Sequence, residues 1–269
     1  MPTAAQLTQL TLIGLPNIPH VQPGDDLAAI LVASLESARL TLEPGDILVV
    51  TSKLVSKAEG RFVDLRTVEP SARARTVAEK TRKDPRMVEL ILRESTAISR
   101  MRSDVLIVRH RLGFTLANAG IDHSNVGRAG EDWVLLLPED PDRSAAQIRQ
   151  RLYALTGVAP GIVISDSHGR PFRIGTVGVA VGLAGFPAIW DKRGQRDLYG
   201  RELRVTVTGL GDELAAAAGL VTGQGAEGLP VVLVRGMAAP QGDGCAADLV
   251  RPEALDLYAD HQDEGGWPH

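Results

Sequence analysis

The stretch GIVISDSHGRPFRIGTVG, residues 161–178, holds the choice of fold. Residues 162–165 are an apolar, β-branched run that ends just before Asp166, and residues 176–182 alternate glycine with Val and Ala. Both read as strands, the second one where backbones pack closely. No helical pattern separates them, so a strict βαβ rhythm is broken and the neighbours read as antiparallel. The polar middle is just as informative. Asp166, Ser167, His168, Arg170 and Arg173 crowd into a segment with Gly169, Gly175 and Gly178, far more chemistry than a plain turn needs.

Working outward, the same mixture continues. Residues 8–14 alternate loosely as a first strand. Asp25 or Asp26 is placed to cap a helix carrying Leu27, Ile30, Leu31, Leu35 and Leu40 on one face. Residues 44–46 (Pro-Gly-Asp) are a turn before a buried strand at 47–50. Helical periodicity covers 70–80 and 85–95, each opened by a proline that fits the first helical position. Residues 105–108 and 114–116 form a hairpin around Arg111, Leu112 and Gly113. A short apolar run follows at 133–137, then a helix at 144–155 with Ala145, Ile148, Leu152 and Leu155 on one side. Residues 201–208 alternate as a strand, 212–220 are a helix and 231–235 a strand. The class is α+β, with mixed, largely antiparallel sheets and flanking helices. Residues 1–245 form the main unit and 246–269 a C-terminal segment, of which residues 262–269 are expected to be mobile.

The composition narrows the functions. The chain of 269 residues is 44% hydrophobic, enough for a folded core, and its 4% aromatic content leaves that core to Val, Leu, Ile and Ala. The formal net charge of -4 gives no sign of a nucleic-acid binder, so an anionic ligand must be met by local cations. Cys245 is the single cysteine, which excludes an internal disulfide or a cysteine-rich zinc site and suits a cytoplasmic protein. The start lacks a basic segment followed by a long apolar one, so no signal peptide is expected, and no apolar run approaches membrane-spanning length.

Four polar stretches border apolar runs. The first is TSKLVSK, residues 51–57, whose hydroxyls and ammonium groups at a strand end are suited to phosphate oxygens. It lacks the glycines and GK[ST] order of a P-loop, and the plain alternative is a solvated loop. The second is ANAGIDHSN, residues 117–125, in which Asp122 could ligate a hard cation and Asn125 could bond a base or sugar. The plain alternative is a turn rich in Asn, Asp and Gly. In the third, the opening stretch, Asp166 and Ser167 offer oxygens to Mg²⁺ or Mn²⁺, and Arg170 and Arg173 could neutralise phosphate or carboxylate. His168 has no identified partner and reads as a structural hydrogen-bonder. In the fourth, Gly223 to Gly228 spell G-x-G-x-x-G, but the run follows a helix and precedes a strand, so the dinucleotide reading fails. Its backbone N–H groups could still approach a phosphate, and the alternative is a connector.

Together these stretches resemble the coenzyme F420-0:γ-glutamyl ligase family. The resemblance is carried by GLPNI (14–18), GDILVVTSKLVSKAEG (45–60), NAGIDHSNV (118–126), LLPEDPD (136–142), ISDSHGRPFRIG (164–175), DLYGREL (197–203) and the glycine loop. It implies a GTP-dependent enzyme, assisted by Mg²⁺ or Mn²⁺ with K⁺ as a further candidate, that adds L-glutamate to the lactyl carboxylate of F420-0 and then γ-linked glutamates. The implied route is an acyl phosphate, releasing GDP and phosphate. The family pattern puts metal ligands at Asp122, Asp166, Ser167 and Gln224. It puts GTP contacts at Leu15, Pro16, Asn17, Ile18, Ser52, Lys53, Lys57 and Asn125, and at Thr222, Gly223, Gln224, Gly225, Ala226, Glu227, Gly228 and Leu229. Charge logic alone gives Arg170 and Arg173, with Asp166, the catalytic anion-handling role. Two intertwined subdomains and a homodimer are also implied. The rival functions are a metal-dependent phosphohydrolase using the same carboxylates and a nucleotide-binding regulator without chemistry.

Overall fold

The computed structural model of the chain describes residues 9–124, 126, 132–238 and 240–255. In chain order, β1 (Thr11–Gly14) precedes α1 (Leu27–Ser37), and β2 (Ile47–Thr51) runs directly into α2 (Ser52–Ala58). Then come β3 (Phe62–Asp64), α3 (Ala72–Thr81), α4 (Pro85–Arg93), β4 (Ser95–Arg102), β5 (Val105–His110), β6 (Thr115–Ala117) and β7 (Trp133–Leu135). α5 (Pro141–Thr156) leads to a long hairpin of β8 (Gly161–Arg170) and β9 (Arg173–Ala184). β10 (Ile189–Asp191), β11 (Val207–Gly209), α6 (Leu210–Thr222) and β12 (Val231–Arg235) complete the series. The class is α+β, as the broken rhythm of residues 161–182 predicts.

Among the described residues the central sheet has five strands in the order β1-β12-β2-β8-β9. Only β2 and β8 pair in parallel; the other neighbours are antiparallel. Strand alternation sorts the apolar residues onto two faces. Leu48 and Val50 of β2, Ile162 and Ile164 of β8 and Leu233 of β12 pack against α1 and α5. Ile47, Val49, Val163, Val232 and Val234 face α6, through Leu210, Leu214, Ala215 and Ala218. Each of the Val, Leu and Ile side chains, once buried, contributes roughly 1.5–3 kcal/mol. A separate core, formed by Leu65, Val77, Val88, Ile91, Leu106, Val108 and Val134 among others, is drawn entirely from the segment between α2 and α5.

The helix ends follow their local chemistry. Asp26 accepts from Ala29 N at 3.1 Å and caps α1. Asp140 caps α5 and Pro141 takes its first turn, so this helix starts three residues before the predicted 144. α3 begins at Ala72 behind a Ser71 cap, so Pro70 precedes this helix and does not open it, whereas Pro85 does open α4. Residues 51–57 are a strand end and a helix, not a loop. The predicted strand at 201–208 shrinks to Val207–Gly209 paired with β10, and β4 extends a hairpin where helix was expected at 95. Beyond residue 245 the chain still packs: Ala246 is buried and its N–H donates to Asp142 Oδ1 at 2.9 Å. Residues 262–269, expected to be mobile, lie outside the described residues. Among the described residues no helix is long and apolar enough to cross a membrane.

Candidate active site

Topology brings the polar stretches to one end of the sheet. β12 is antiparallel to β2, with Val231 opposite Val50, so the loop preceding β12 sits over the C-terminal end of β2. Thr51 N donates to Pro230 O at 3.0 Å and pins the two together. β8 is parallel to β2, which puts Ser165 beside Thr51 and Asp166 beside the start of α2. β1 is antiparallel to β12, so the chain leaves β1 at this same end. The result is a cavity of about 640 Å³ lined by residues from all four stretches.

β8 does not stop before Asp166, as its apolar run predicted. It continues to Arg170 as the first strand of the β8–β9 hairpin. A register shift between Ile164 and Ser165 interrupts the ladder just ahead of Asp166, the local irregularity that re-aims side chains at functional sites. Two residues apart on one strand face, Asp166 and His168 meet: His168 Nε2 lies 3.1 Å from Asp166 Oδ2. The other carboxylate oxygen accepts from Ser52 Oγ at 2.9 Å.

Asp122 arrives by a different device. Asn118, Ala119 and Gly120 all adopt left-handed backbone, with φ of 52°, 53° and 65°. Such conformations cost non-glycine residues of order 1–3 kcal/mol each and collect at functional sites. At Gly120 a side chain would also strike Leu137, at 2.7 Å. After this turn, Asp122 exchanges two backbone hydrogen bonds of 2.9 Å with Leu135, which fix its position. Lys53 Nζ lies 3.4 Å from Asp122 Oδ2 and 3.1 Å from Ser124 O. Burial pushes the Asp122 carboxyl above its ordinary pKa; Lys53 opposes this, and the Asp166 charge adds to it. Lys57 is shifted down by burial and by repulsion from Lys53, while Asp122 opposes that shift.

These charges bear on whether a cation fits. Among the described residues no three His, Cys, Asp or Glu side chains cluster as a ready metal cage. Two carboxylates close enough for one to disfavour the charge of the other do suit a hard cation. Ser167 and Gln224, also on the cavity wall, would add neutral oxygens. Mg²⁺ typically takes one or two carboxylates and completes its shell with substrate oxygens and water.

The structure gathers Ile18, Ser52, Lys53, Lys57, Asp122, Asp166 and Ser167 on this wall, with Thr222, Gly223, Gln224, Gly225, Ala226, Glu227, Gly228 and Leu229. The glycine loop is closed on itself by Gly225 N donating to Glu227 Oε2 at 2.8 Å. It does not gather Leu15, which is fully buried in the core, or Pro16 and Asn17, which bond to Ser34 and Ser37 of α1. Arg170 and Arg173 are not on the cavity wall either. They pair across the end of the β8–β9 hairpin, and Arg170 stands four residues along the strand from Asp166, roughly 13 Å. Asn125 lies outside the described residues. His20, Ala215 and Gly219 line the cavity without a signal in the sequence. His168 did carry a signal, its i+2 spacing from Asp166 on a strand, but only once β8 is known to continue.

Comparison with known proteins gives the class first: the chain is a ligase. It belongs to the F420-0:gamma-glutamyl ligase family, whose model matches residues 16–236. A coenzyme F420:L-glutamate ligase of Methanopyrus kandleri is 49% identical over 242 residues, covering 88% of this chain and 93% of the relative. The enzyme of the same name from Methanothermobacter thermautotrophicus is 47% identical over 253 residues, 93% of this chain and 98% of its own. That of Methanocaldococcus jannaschii is 43% identical over 221 residues, 82% and 87%.

Proposed function

We propose that this protein is a GTP-dependent ligase that adds L-glutamate to the lactyl carboxylate of coenzyme F420-0 and then further glutamates through γ-linkages. The observation that carries the reading is the convergence of Lys53, Lys57, Asp122, Asp166 and the glycine loop on one cavity. A carboxylate is a poor electrophile at neutral pH, so its oxygen must first be made a leaving group. The lactyl carboxylate attacks the γ-phosphorus of GTP; an O–P bond forms, the bond to the β-phosphate oxygen breaks and GDP leaves. The glutamate amine then attacks the acyl carbon, loses a proton, and inorganic phosphate departs with the C–O bonding pair.

The chain's residues would divide this work by charge. Lys53 and Lys57 would face the nucleotide phosphates, and the 223–228 loop on the same wall would meet a phosphate with its backbone once Glu227 releases Gly225 N. Asp122, Asp166, Ser167 and Gln224 would hold Mg²⁺ or Mn²⁺, which offsets phosphoryl charge when bound. K⁺ is a further candidate ion. Arg170 and Arg173, at the hairpin end, would serve anionic substrate only if brought to a site across subunits. Such an assembly suits the surface. Phe172, Ile174, Leu198, Tyr199 and Val205 are 90%, 101%, 99%, 95% and 87% exposed, which is apolar area that a second copy would cover in a homodimer. A cytoplasmic location goes with the single cysteine.

The test incubates the protein with GTP, Mn²⁺ and F420-0, with and without L-glutamate, and follows GDP and coenzyme mass. Glutamate-dependent GDP release with a heavier coenzyme is expected. GDP release indifferent to glutamate would turn the reading to a phosphohydrolase, and binding without turnover to a regulator. Light scattering reports the dimer.

A further inference from the structure

Both oxygens of Asp166 are held by the protein, one by Ser52 Oγ at 2.9 Å and one by His168 Nε2 at 3.1 Å. The His168 side chain is only 7% exposed. Its ring is tilted against Phe114, with centroids 5.7 Å apart, and Phe114 in turn stacks on His110 at 5.4 Å. Packing therefore keeps the imidazole from swinging to solvent. An ionised carboxylate only accepts, so against it Nε2 would carry the hydrogen of this bond. Each oxygen has two acceptor directions. Ser52 and His168 take one on each, which leaves the others for the cavity that Asp166 lines.

We propose that His168 is a positioning residue for the reaction: it fixes the rotation of the Asp166 carboxylate so that its unused lone pairs meet a divalent cation. The inference rests on the reading of Asp166 as a cation ligand. His168 is not on the cavity wall and its Nε2 is committed to Asp166, so it acts through that carboxylate and does not meet substrate. Partners that orient a ligating carboxylate typically change metal affinity by 10–100-fold when removed.

The test titrates Mn²⁺ alone into the full chain and reads the free-ion signal by electron paramagnetic resonance, with melting curves alongside. His168→Leu, close in volume but without a donor, is expected to weaken Mn²⁺ binding about 10–100-fold. His168→Gln, whose amide nitrogen reaches the place of Nε2, is expected to recover most of it. Asp166→Ala is the reference for loss of the ligand itself. If Asp166→Ala loses Mn²⁺ while a folded His168→Leu binds within about twofold of the wild type, well short of the usual loss, the positioning role is overturned and the cation reading stands. If Asp166→Ala binds as the wild type does, the cation reading falls and this inference with it. Should His168→Leu fail to fold, nitrogen-15 NMR of the wild-type imidazole decides. An Nε2–H tautomer whose resonance moves on adding Mg²⁺ supports the role, and an Nδ1–H tautomer overturns it.

Discussion

β2 joins two acidic sites of opposite character. Just ahead of it, Asp46 is 2% exposed and clamped by three donors: Arg235 Nε and Nη2 donate to its two oxygens at 2.8 and 2.6 Å, and Glu43 N adds a third bond at 2.8 Å. Just beyond its other end, Asp166 accepts one donor per oxygen and lines a cavity with acceptor capacity to spare. The same sheet thus uses one carboxylate as a clasp and another as a tool. The difference lies in the donors. A guanidinium fork matches a carboxylate completely, whereas a hydroxyl and an imidazole orient it and leave room.

The contrast predicts which substitutions cost stability and which cost activity. Arg235→Met strips the clasp and leaves Asp46 buried without its partner, so unfolding free energy should fall by about 3 kcal/mol in denaturant titration, with turnover per folded molecule preserved. A melt unchanged from wild type would show that the clasp is idle. At the other end, Asp166→Ala should lower glutamate-dependent turnover by roughly a hundredfold or more while the fold persists. Near-normal turnover in folded protein would remove Asp166 from the chemistry. At the same end, opposite Ser167, Gly178→Ala would push a methyl to 2.2 Å from Ala215 O of α6. Forced separation of that kind costs about 1–3 kcal/mol, read as a lower melting midpoint. Lys57→Ala should weaken GTP binding by about tenfold, the scale of one partly screened charge contact, as measured by calorimetry.

The smallest expected effect concerns pH. The Asp122 carboxyl is raised by burial and by Asp166, so its charged form is disfavoured in the fold. A raised folded pKa contributes stability below the unfolded value near 3.9 and loses it as pH rises through the folded value. Without divalent cations, Asp122→Asn should therefore melt slightly higher than wild type at neutral pH, and the gap should close toward pH 3. A lower melt for the variant at pH 7 would mean that the Lys53 contact, 3.4 Å away, outweighs burial.

What the sequence made legible divides along similar physical lines. β2 and β12 were readable as short continuous apolar runs buried on both faces, and α6 as an apolar helical stretch with its buried residues on one side. β4 was not: Ser-Thr-Ala-Ile-Ser-Arg-Met-Arg is mostly exposed and lacks a continuous buried stripe. Residues 201–208 failed the other way, with a clean alternation but no core to face, since Val205 is 87% exposed. At the site, residue types announced Asp122, Asp166, Lys53 and the glycine loop. The partnership of Ser52 with Asp166 spans 114 positions and depends on which strands pair. Nor does charge say where a hairpin ends, which is why Arg170 and Arg173 stand away from the wall they were expected to join.

The strand order carries a consequence for biosynthesis. β12 lies between β1 and β2, so among the described residues the first strand has no sheet neighbour until residues 231–235 have been made. Contacts so distant along the chain form late because loop closure must precede them. A ribosome-bound fragment short of residue 231 would thus lack the strand that joins β1 to β2, and with it the pairing that fixes the loop before β12 over the end of β2.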